Sequence, residues 1–189
     1  MANQDSPFGL RAIGKIGQNR DNQGLAEFSI AASATAIYGQ DPVKALATGT
    51  IGVAAAGDTL LGSLNGVFFT AADTSKPTFA NHLNASNTAT DIVGFVSSDP
   101  YERFEIQSDN TTASAQTDVF LNYDLTYAAG SSHDYLSGVE LDDSTTSTAS
   151  GQLRVVGVSK DIKNNDLTAS HVNFVVMINE HFLKGTAGV

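Results

Sequence analysis

The sequence predicts an all-β protein, an antiparallel β-barrel or β-sandwich of about nine short strands with an extended N-terminal arm. Three observations support this fold class. No window of about eleven or more residues carries apolar side chains at helical spacing. Short segments with period-2 alternation are separated by clusters of turn-forming residues. The polar residues are mainly Ser, Thr, Asn and Asp, which favour turns, caps and strands over exposed helices.

Individual strands are predicted from this alternation. The strongest pattern runs from Val119 to Tyr127, where every second residue is apolar or aromatic. In 103–107, Phe104 and Ile106 are expected to point inward and the other three residues outward. Alternate residues from Val172 to Ile178 are expected to share one buried face. The candidate strands are 26–30, 43–53, 59–70, 92–97, 103–107, 119–127, 138–141, 153–159 and 171–179.

The chain is expected to turn sharply at Asn65-Gly66, in the middle of 59–70. Asn-Gly supplies the two positive φ values that a type I′ turn needs, so this segment should form a tight hairpin. The run Asp142–Gly151 (DDSTTSTASG) is expected to be a loop, because it is too polar to pack. Residues Ala31–Ala36 are rich in alanine but too few to make a stable helix on their own.

The pattern divides the chain into an extended arm, residues 1–24, and a single β domain, residues 25–189. The arm has no sustained periodicity and carries the bases Arg11, Lys15 and Arg20. It is expected to contribute to attachment by pairing with a partner's carboxylates and strand edge, and to add little to the stability of the domain. The alternative is an ordinary frayed terminus.

The acidic residues are concentrated in one part of the sequence. Residues 85–150 hold eleven acids and one base, Arg103, which amounts to a charge of −10, whereas the rest balances nine acids against nine bases. An anionic surface repels phosphate backbones, so binding to nucleic acid is not expected. The acidic part also keeps an abundant protein soluble.

The absence of cysteine excludes disulfides, thiolate metal sites and a cysteine nucleophile. The first residues lack the basic and apolar regions of a secretion signal, and no apolar run is long enough to span a membrane. The protein is therefore expected to be cytosolic when made and not to enter a membrane.

No catalytic motif is present in the sequence. It contains no phosphate-binding loop ending in Lys-Ser or Lys-Thr, no serine elbow and no His-Glu-x-x-His helix. Carboxylate pairs such as Glu102 with Glu105 point to opposite faces of a strand, unlike the facing pair of a glycosidase. The sequence therefore predicts a protein that is not an enzyme and uses no cofactor.

No metal site is predicted either. The four histidines are far apart in the chain and are interpreted as solvated or structural; they are His82, His133, His171 and His181. Only His133-Asp134 is a local pair that could reach a cation. Asp142-Asp143 lacks the glycine-punctuated spacing of a calcium loop and is interpreted as an exposed turn.

Aromatic residues at strand spacing are expected in the core; they are Phe68, Phe69, Phe104, Tyr123, Tyr127 and Phe174. Tyr38, Tyr101 and Tyr135 lie beside turns and are candidates for contact with a partner or a glycan.

Several segments resemble structural proteins encoded by tailed phages of marine bacteria. In the C-terminal half these are 138–144 (GVELDDS), 153–158 (LRVVGV), 164–166 (NND) and 175–181 (VVMINEH). Further matches are 6–10 (SPFGL), 56–58 (AGD), 62–69 (GSLNGVFF) and 99–104 (DPYERF), so that the resemblance covers most of residues 6–183.

The resemblance implies a capsid decoration, or cement, protein on the exterior of the virion. Its partner would be the major capsid protein, and it would form a homo-oligomer, a trimer by analogy with the local threefold sites of shells. The alternative is a fibre, knob or tail-associated module that binds host-surface glycan or receptor. Residues expected to contact the partner are Phe8, Arg11, Lys15, Arg20 and Tyr38.

Overall fold

The computed structural model describes residues 3–16, 25–109, 114–185 and 188–189. The protein is all-β, with 42% strand and 3% helix, and its two antiparallel sheets form a sandwich-like structure that is not closed into a barrel. This confirms the predicted fold class. Within the described residues, none of the helices is long and apolar enough to cross a membrane.

Twelve strands are present in the described part of the chain, together with two 3-10 helices at Gln116–Asp118 and Phe182–Lys184. The strands are β1 (Arg11–Lys15), β2 (Ala26–Ser29), β3 (Pro42–Ala45), β4 (Ile51–Val53), β5 (Gly62–Thr70), β6 (Pro77–Ala80), β7 (Val93–Ser97), β8 (Glu102–Gln107), β9 (Asn122–Thr126), β10 (Glu140–Ser147), β11 (Leu153–Val158) and β12 (Asn173–Ile178).

The order of strands in sheet A is β1-β8-β12-β11-β9-β10, and the order in sheet B is β2-β7-β5-β3-β4, with β6 also paired to β5. Sheet A is curled, because a parallel bridge between Ser108 and Leu141 brings the end of β8 to β10. The amide of Asp109 donates to the carbonyl of Leu141 at 3.0 Å beside this bridge.

Each sheet packs on its own cluster of buried apolar side chains. In β12 and the residue before it, the predicted alternation is confirmed, since Val172, Phe174, Val176 and Ile178 are all buried in the cluster of sheet A. Leu60 belongs to that cluster, whereas the next residue, Leu61, belongs to the cluster of sheet B. These consecutive leucines therefore connect the two halves of the core.

The predicted hairpin at Asn65-Gly66 is wrong. Both residues lie inside β5, and Asn65 is the extra residue of a β-bulge, because Leu64 pairs with Val96 while Gly66 pairs with Phe95. The strand continues through this point because β7 pairs with it on both sides of the bulge. Gly66 does not have a positive φ, so glycine is not required here by a turn conformation.

Gly66 is needed instead for the space that its missing Cβ leaves. A Cβ at this position would lie 2.8 Å from Cζ of Phe79 and 3.1 Å from the backbone carbonyl oxygen of Ala80. The ring of Phe79 can rotate away, but the backbone of β6 cannot move without breaking its pairing with β5. Gly66 therefore allows β6 and the ring of Phe79 to lie close to the bulge.

Gly66→Val is expected to lower the free energy of unfolding by about 1–3 kcal/mol, because the new side chain overpacks against β6. The matched control is Gly157→Val in β11, where a Cβ would meet no atom within 4 Å. Urea unfolding of both variants measures the difference. Equal stability of the two variants would contradict the close approach of β6 to Gly66.

The polar run Asp142–Gly151 is not simply a loop, which corrects the sequence interpretation. Its first half is the greater part of β10, and Asp143 is buried. The strand forms because polar side chains supply hydrogen bonds that an apolar pattern would not reveal. Thr145 Oγ1 accepts from the amide of Asp124 at 2.8 Å, and Asp109 Oδ1 accepts from the amide of Asp143 at 3.3 Å.

The strand with the strongest predicted pattern, Val119–Tyr127, is shorter than expected. Only Asn122–Thr126 is strand, and a 3-10 helix followed by a turn precedes it. Phe120 has a φ of 80° and is 76% exposed, while its amide donates to the carbonyl of Val155 at 2.8 Å. Alternation alone did not reveal this turn.

The N-terminal segment, defined as residues 3–16, is extended but packs on the domain itself. The predicted boundary at residue 24 lies outside the described residues and stays a prediction. β1 is the edge strand of sheet A, and the Leu10 side chain is 0% exposed within the cluster of that sheet. The Leu10 amide donates to the carbonyl of Gln40 at 2.9 Å, and its own carbonyl accepts from Ser63 Oγ at 2.6 Å. Residues 17–24 lie outside the described part of the chain.

The N-terminal segment also buries the face of β8 that was expected to meet solvent. Glu105 and Gln107 are both buried, so the predicted outward exposure is wrong for these two residues. Gln107 accepts from the amide of Ser6 and donates to the carbonyl of Gln4, each at 2.9 Å. Backbone groups of the segment thus make these hydrogen bonds, and backbone groups leave no periodic pattern in the sequence.

Candidate protein-binding face

Four large apolar side chains share the surface of sheet B that faces away from its cluster. Phe68 pairs with Phe79 on β6 and with Val93 on β7, and Phe95 lies on the same side of β7. Phe79 is 68% exposed and Phe68 is 40% exposed, while Val93 and Phe95 are partly exposed. We call these four residues the aromatic face.

The opposite side of the same strands explains why these rings point outward. Val67 and Val96 are fully buried in the cluster of sheet B, and Phe69 packs against that cluster. Because side chains alternate along a strand, Phe68 must then face away from the cluster. The bulge beside Gly66 lets the ring of Phe79 reach that of Phe95, with centroids 5.8 Å apart and planes tilted by 42°.

Charge is distributed unevenly between the two sheets. Among the described strands, those of sheet B contain one acid, Glu27, which pairs with Phe95 at the rim of the aromatic face. The strands of sheet A contain six acids: Glu102, Glu105, Asp124, Glu140, Asp142 and Asp143. The acidic part of the sequence is therefore mostly in sheet A, and the aromatic face is in the sheet with fewer acids.

The residues predicted to contact a partner make contacts within the protein. The Arg11 guanidinium forms an ion pair with Glu105 at 2.5 Å and lies over the Phe8 ring, 4.4 Å from its centroid. Lys15 pairs with Asp99 at 2.8 Å, and this pairing helps to hold the pKa of Asp99 below its usual value. These contacts fasten the N-terminal segment to its own sheet.

The other two predicted contact residues have different outcomes. Tyr38 is partly buried, and its amide donates to the Asp41 carboxylate at 2.7 Å. Its ring fills the space beside Gly130, where a Cβ would lie 2.5 Å from the Tyr38 Cγ. Arg20 lies outside the described residues. The role of these five residues in binding a partner stays a prediction.

The aromatic face was not predicted from the sequence, because Phe68 and Phe69 were both expected in the core. Adjacent residues in a strand point to opposite sides, so one member of the pair had to be exposed unless both faces of the sheet were covered. Phe79 was not within any predicted strand, and only the pairing of β6 with β5 brings it beside Phe68.

The described residues contain one cluster that could hold a metal ion. Asp5, Glu140 and His171 each offer a ligand atom, and these atoms all lie within 4.8 Å of one another. Burial and the negative charges of Asp5, Asp109 and Asp143 raise the pKa of Glu140 to about 7. No such site was predicted from the sequence, because its members are far apart in the chain.

Comparison with known proteins adds no relative: no family model, curated protein or solved structure matches the chain.

Proposed function

We propose that this protein is a non-enzymatic structural protein of a tailed-phage virion, which decorates the capsid by binding the outer surface of the shell. The aromatic face is the observation that carries the proposal. It docks on the major capsid protein, and sheet A, whose strands hold more acids, is not part of the docked surface. The resemblance of the sequence to phage structural proteins supplies the class of partner.

The physical argument for binding rests on the exposed rings. Apolar side chains grouped on a surface are favourable to bury, at about 25 cal/mol per Å² of apolar area removed from water. Aromatic residues are enriched at the centres of protein interfaces and often carry most of the binding energy. Phe79 and Phe68 lie side by side on paired strands, so one partner surface can cover both rings.

The charge distribution favours one orientation on a shell. The acids of β9 and β10 are poor candidates for a buried interface, because moving carboxylates out of water is costly. The aromatic face has only Glu27 at its rim, so that burying this face moves few charges out of water. Formation of a trimer at a threefold position of the shell is part of the same proposal.

Phe68→Thr combined with Phe79→Thr is expected to weaken binding to purified shells by at least ~100-fold, since two neighbouring hot-spot rings are removed. Co-sedimentation of the protein with shells that lack it measures the affinity. Thermal melting of the variant is expected to be nearly unchanged, because both rings are on the surface. Ile162→Thr is the control, since Ile162 is 82% exposed in the loop between β11 and β12.

Two results would overturn the proposal. Undiminished binding by the double variant would exclude the aromatic face as the docking surface. Density for the protein on the tail or fibre, rather than the capsid, in images of the assembled particle would favour binding to host-surface glycan or receptor instead.

A further inference from the structure

Three parts of the fold meet at the Asp5, Glu140 and His171 cluster. Asp5 lies in the N-terminal segment, Glu140 is the first residue of β10, and His171 lies in the turn that precedes β12. Their ligand atoms lie within 4.8 Å of one another. His171 Nδ1 is 3.8 Å from Asp5 Oδ1, which is too long for a hydrogen bond.

Two of these ligand groups carry buried atoms without a partner. Glu140 Oε1 and His171 Nδ1 are shielded from solvent, and neither makes a hydrogen bond within the described part of the structure. A buried polar atom without a hydrogen-bond partner costs about 1–3 kcal/mol of stability, so such atoms are rare unless a water or an ion supplies the missing contact. Here two such atoms, a carboxylate oxygen and an imidazole nitrogen, belong to residues of the same cluster, and both atom types are metal ligands.

The surroundings of the cluster favour a cation. Asp109 and Asp143 add their negative charges to that of Asp5, and all three act on the partly buried Glu140. A divalent cation would offset this repulsion, because opposite charges attract strongly where water is scarce.

The ligand groups are also held in place by neighbouring hydrogen bonds. The Asn164 side-chain amide donates to the carbonyls of Gln4 and His171, at 2.7 and 2.8 Å, and so ties the N-terminal segment to the turn before β12. His171 has a φ of 57°, a conformation that costs free energy for a residue with a side chain. This strained backbone persists between fixed neighbours, which is typical of a preorganised site.

From these observations we propose that Asp5, Glu140 and His171 bind one divalent metal ion of the zinc type. One imidazole nitrogen and two carboxylate oxygens are ligands that Zn²⁺ accepts, with a fourth position left for water or another group. Ca²⁺ prefers six to eight oxygen ligands and is disfavoured by the histidine. The bound ion would fasten the N-terminal segment to both β10 and β12. This site is separate from the aromatic face and goes beyond the proposed function.

Calorimetric titration of the full chain with ZnCl₂, after treatment with a chelator, is expected to show one site. His171→Asn and Glu140→Gln are expected to lower the zinc affinity by ~100-fold or more, since loss of even an outer-shell partner of a metal site costs about 10–100-fold. Asparagine tolerates the positive φ at position 171. His133→Asn, in an exposed loop, is the matched control and is expected to bind zinc as the unmodified protein does.

Thermal melting provides a second measurement. Zinc is expected to raise the melting temperature of the unmodified protein and of His133→Asn, because a ligand that binds only the folded state stabilises it. Calcium at the same concentration is expected to produce a smaller shift. Asp5→Asn changes an exposed side chain, so it tests the site even if the other two variants fold poorly.

The proposal is overturned if zinc does not bind at submillimolar concentration, or if Asp5→Asn and His133→Asn bind zinc equally well. The assay does not depend on shells. The two proposals are separated if Phe68→Thr combined with Phe79→Thr loses shell binding but binds zinc normally. They are also separated if a zinc-site variant loses zinc binding but still binds shells.

Discussion

Leu10→Ala is expected to lower the free energy of unfolding by ~2–5 kcal/mol, the usual cost of emptying a fully buried leucine site. Leu10 is part of the cluster of sheet A, and its backbone is held by Gln40 and Ser63 next to sheet B. The site cannot easily collapse, because the adjacent Gly9, at φ +74°, approaches Ser137 so closely that a Cβ would lie 2.4 Å away. Urea unfolding measures the loss.

Ile13→Ala in the same segment is the matched control. Ile13 is 45% exposed, so its truncation is expected to cost much less than that of Leu10. The sequence alone predicted that residues 1–24 add little to the stability of the domain, and the packing of Leu10 predicts the opposite. If Leu10→Ala and Ile13→Ala unfold at the same urea concentration, the N-terminal segment is not part of the folded core.

Asp41→Asn is expected to remove a pH dependence of stability of about 2–3 kcal/mol, at about 1.4 kcal/mol for each unit by which the pKa is shifted. Burial is the largest effect on Asp41 and raises its pKa from 3.8 to about 6, despite hydrogen bonds from Ser137 and the Tyr38 amide that favour the charged form. The carboxyl group is fully buried beside the start of β3.

The direction of the effect follows from proton binding. Between about pH 4 and 6 the folded protein keeps the proton on Asp41, whereas the unfolded chain releases it, so the folded state binds more protons. The contribution to stability is therefore fully present below pH 3.8 and is lost as the pH rises through about 6. At pH 7 the asparagine variant should be more stable than the unmodified protein.

Urea unfolding at pH 4 and pH 7 measures this difference, with the exposed Asp73→Asn as the control for loss of one surface charge. The comparison between variants is needed because His181 acts in the opposite direction, its pKa being lowered by burial to about 4. Parallel pH profiles of the unmodified protein and Asp41→Asn would contradict the assignment.

Local alternation determined most of the strands and part of the core. Phe104, Phe174 and Val176 were predicted to be buried, and all three lie in the cluster of sheet A. This succeeded because a strand with one face against a core must place apolar residues at every second position. The same rule failed at Phe120, where a turn interrupts the pattern, and in β10, where hydrogen bonds between polar groups stabilise the strand.

Only the tertiary structure decided which residues meet across the fold. Asn-Gly is compatible with a turn or a bulge, and the pairing of β7 along both halves of β5 selected the bulge. The N-terminal segment carries no alternation because its backbone groups, more than a row of side chains, hold it to β8 and to Gln107.

The two candidate sites also depend on contacts that only the tertiary structure decided. The composition of the sequence determined that one part is acidic and another nearly neutral, but strand register decided that Phe68 and Phe79 lie side by side. Asp5 and His171 come from opposite ends of the chain, and no local pattern links them. Side-chain periodicity reports the local conformation of the backbone, whereas contacts between distant residues depend on how the strands are ordered in the sheets.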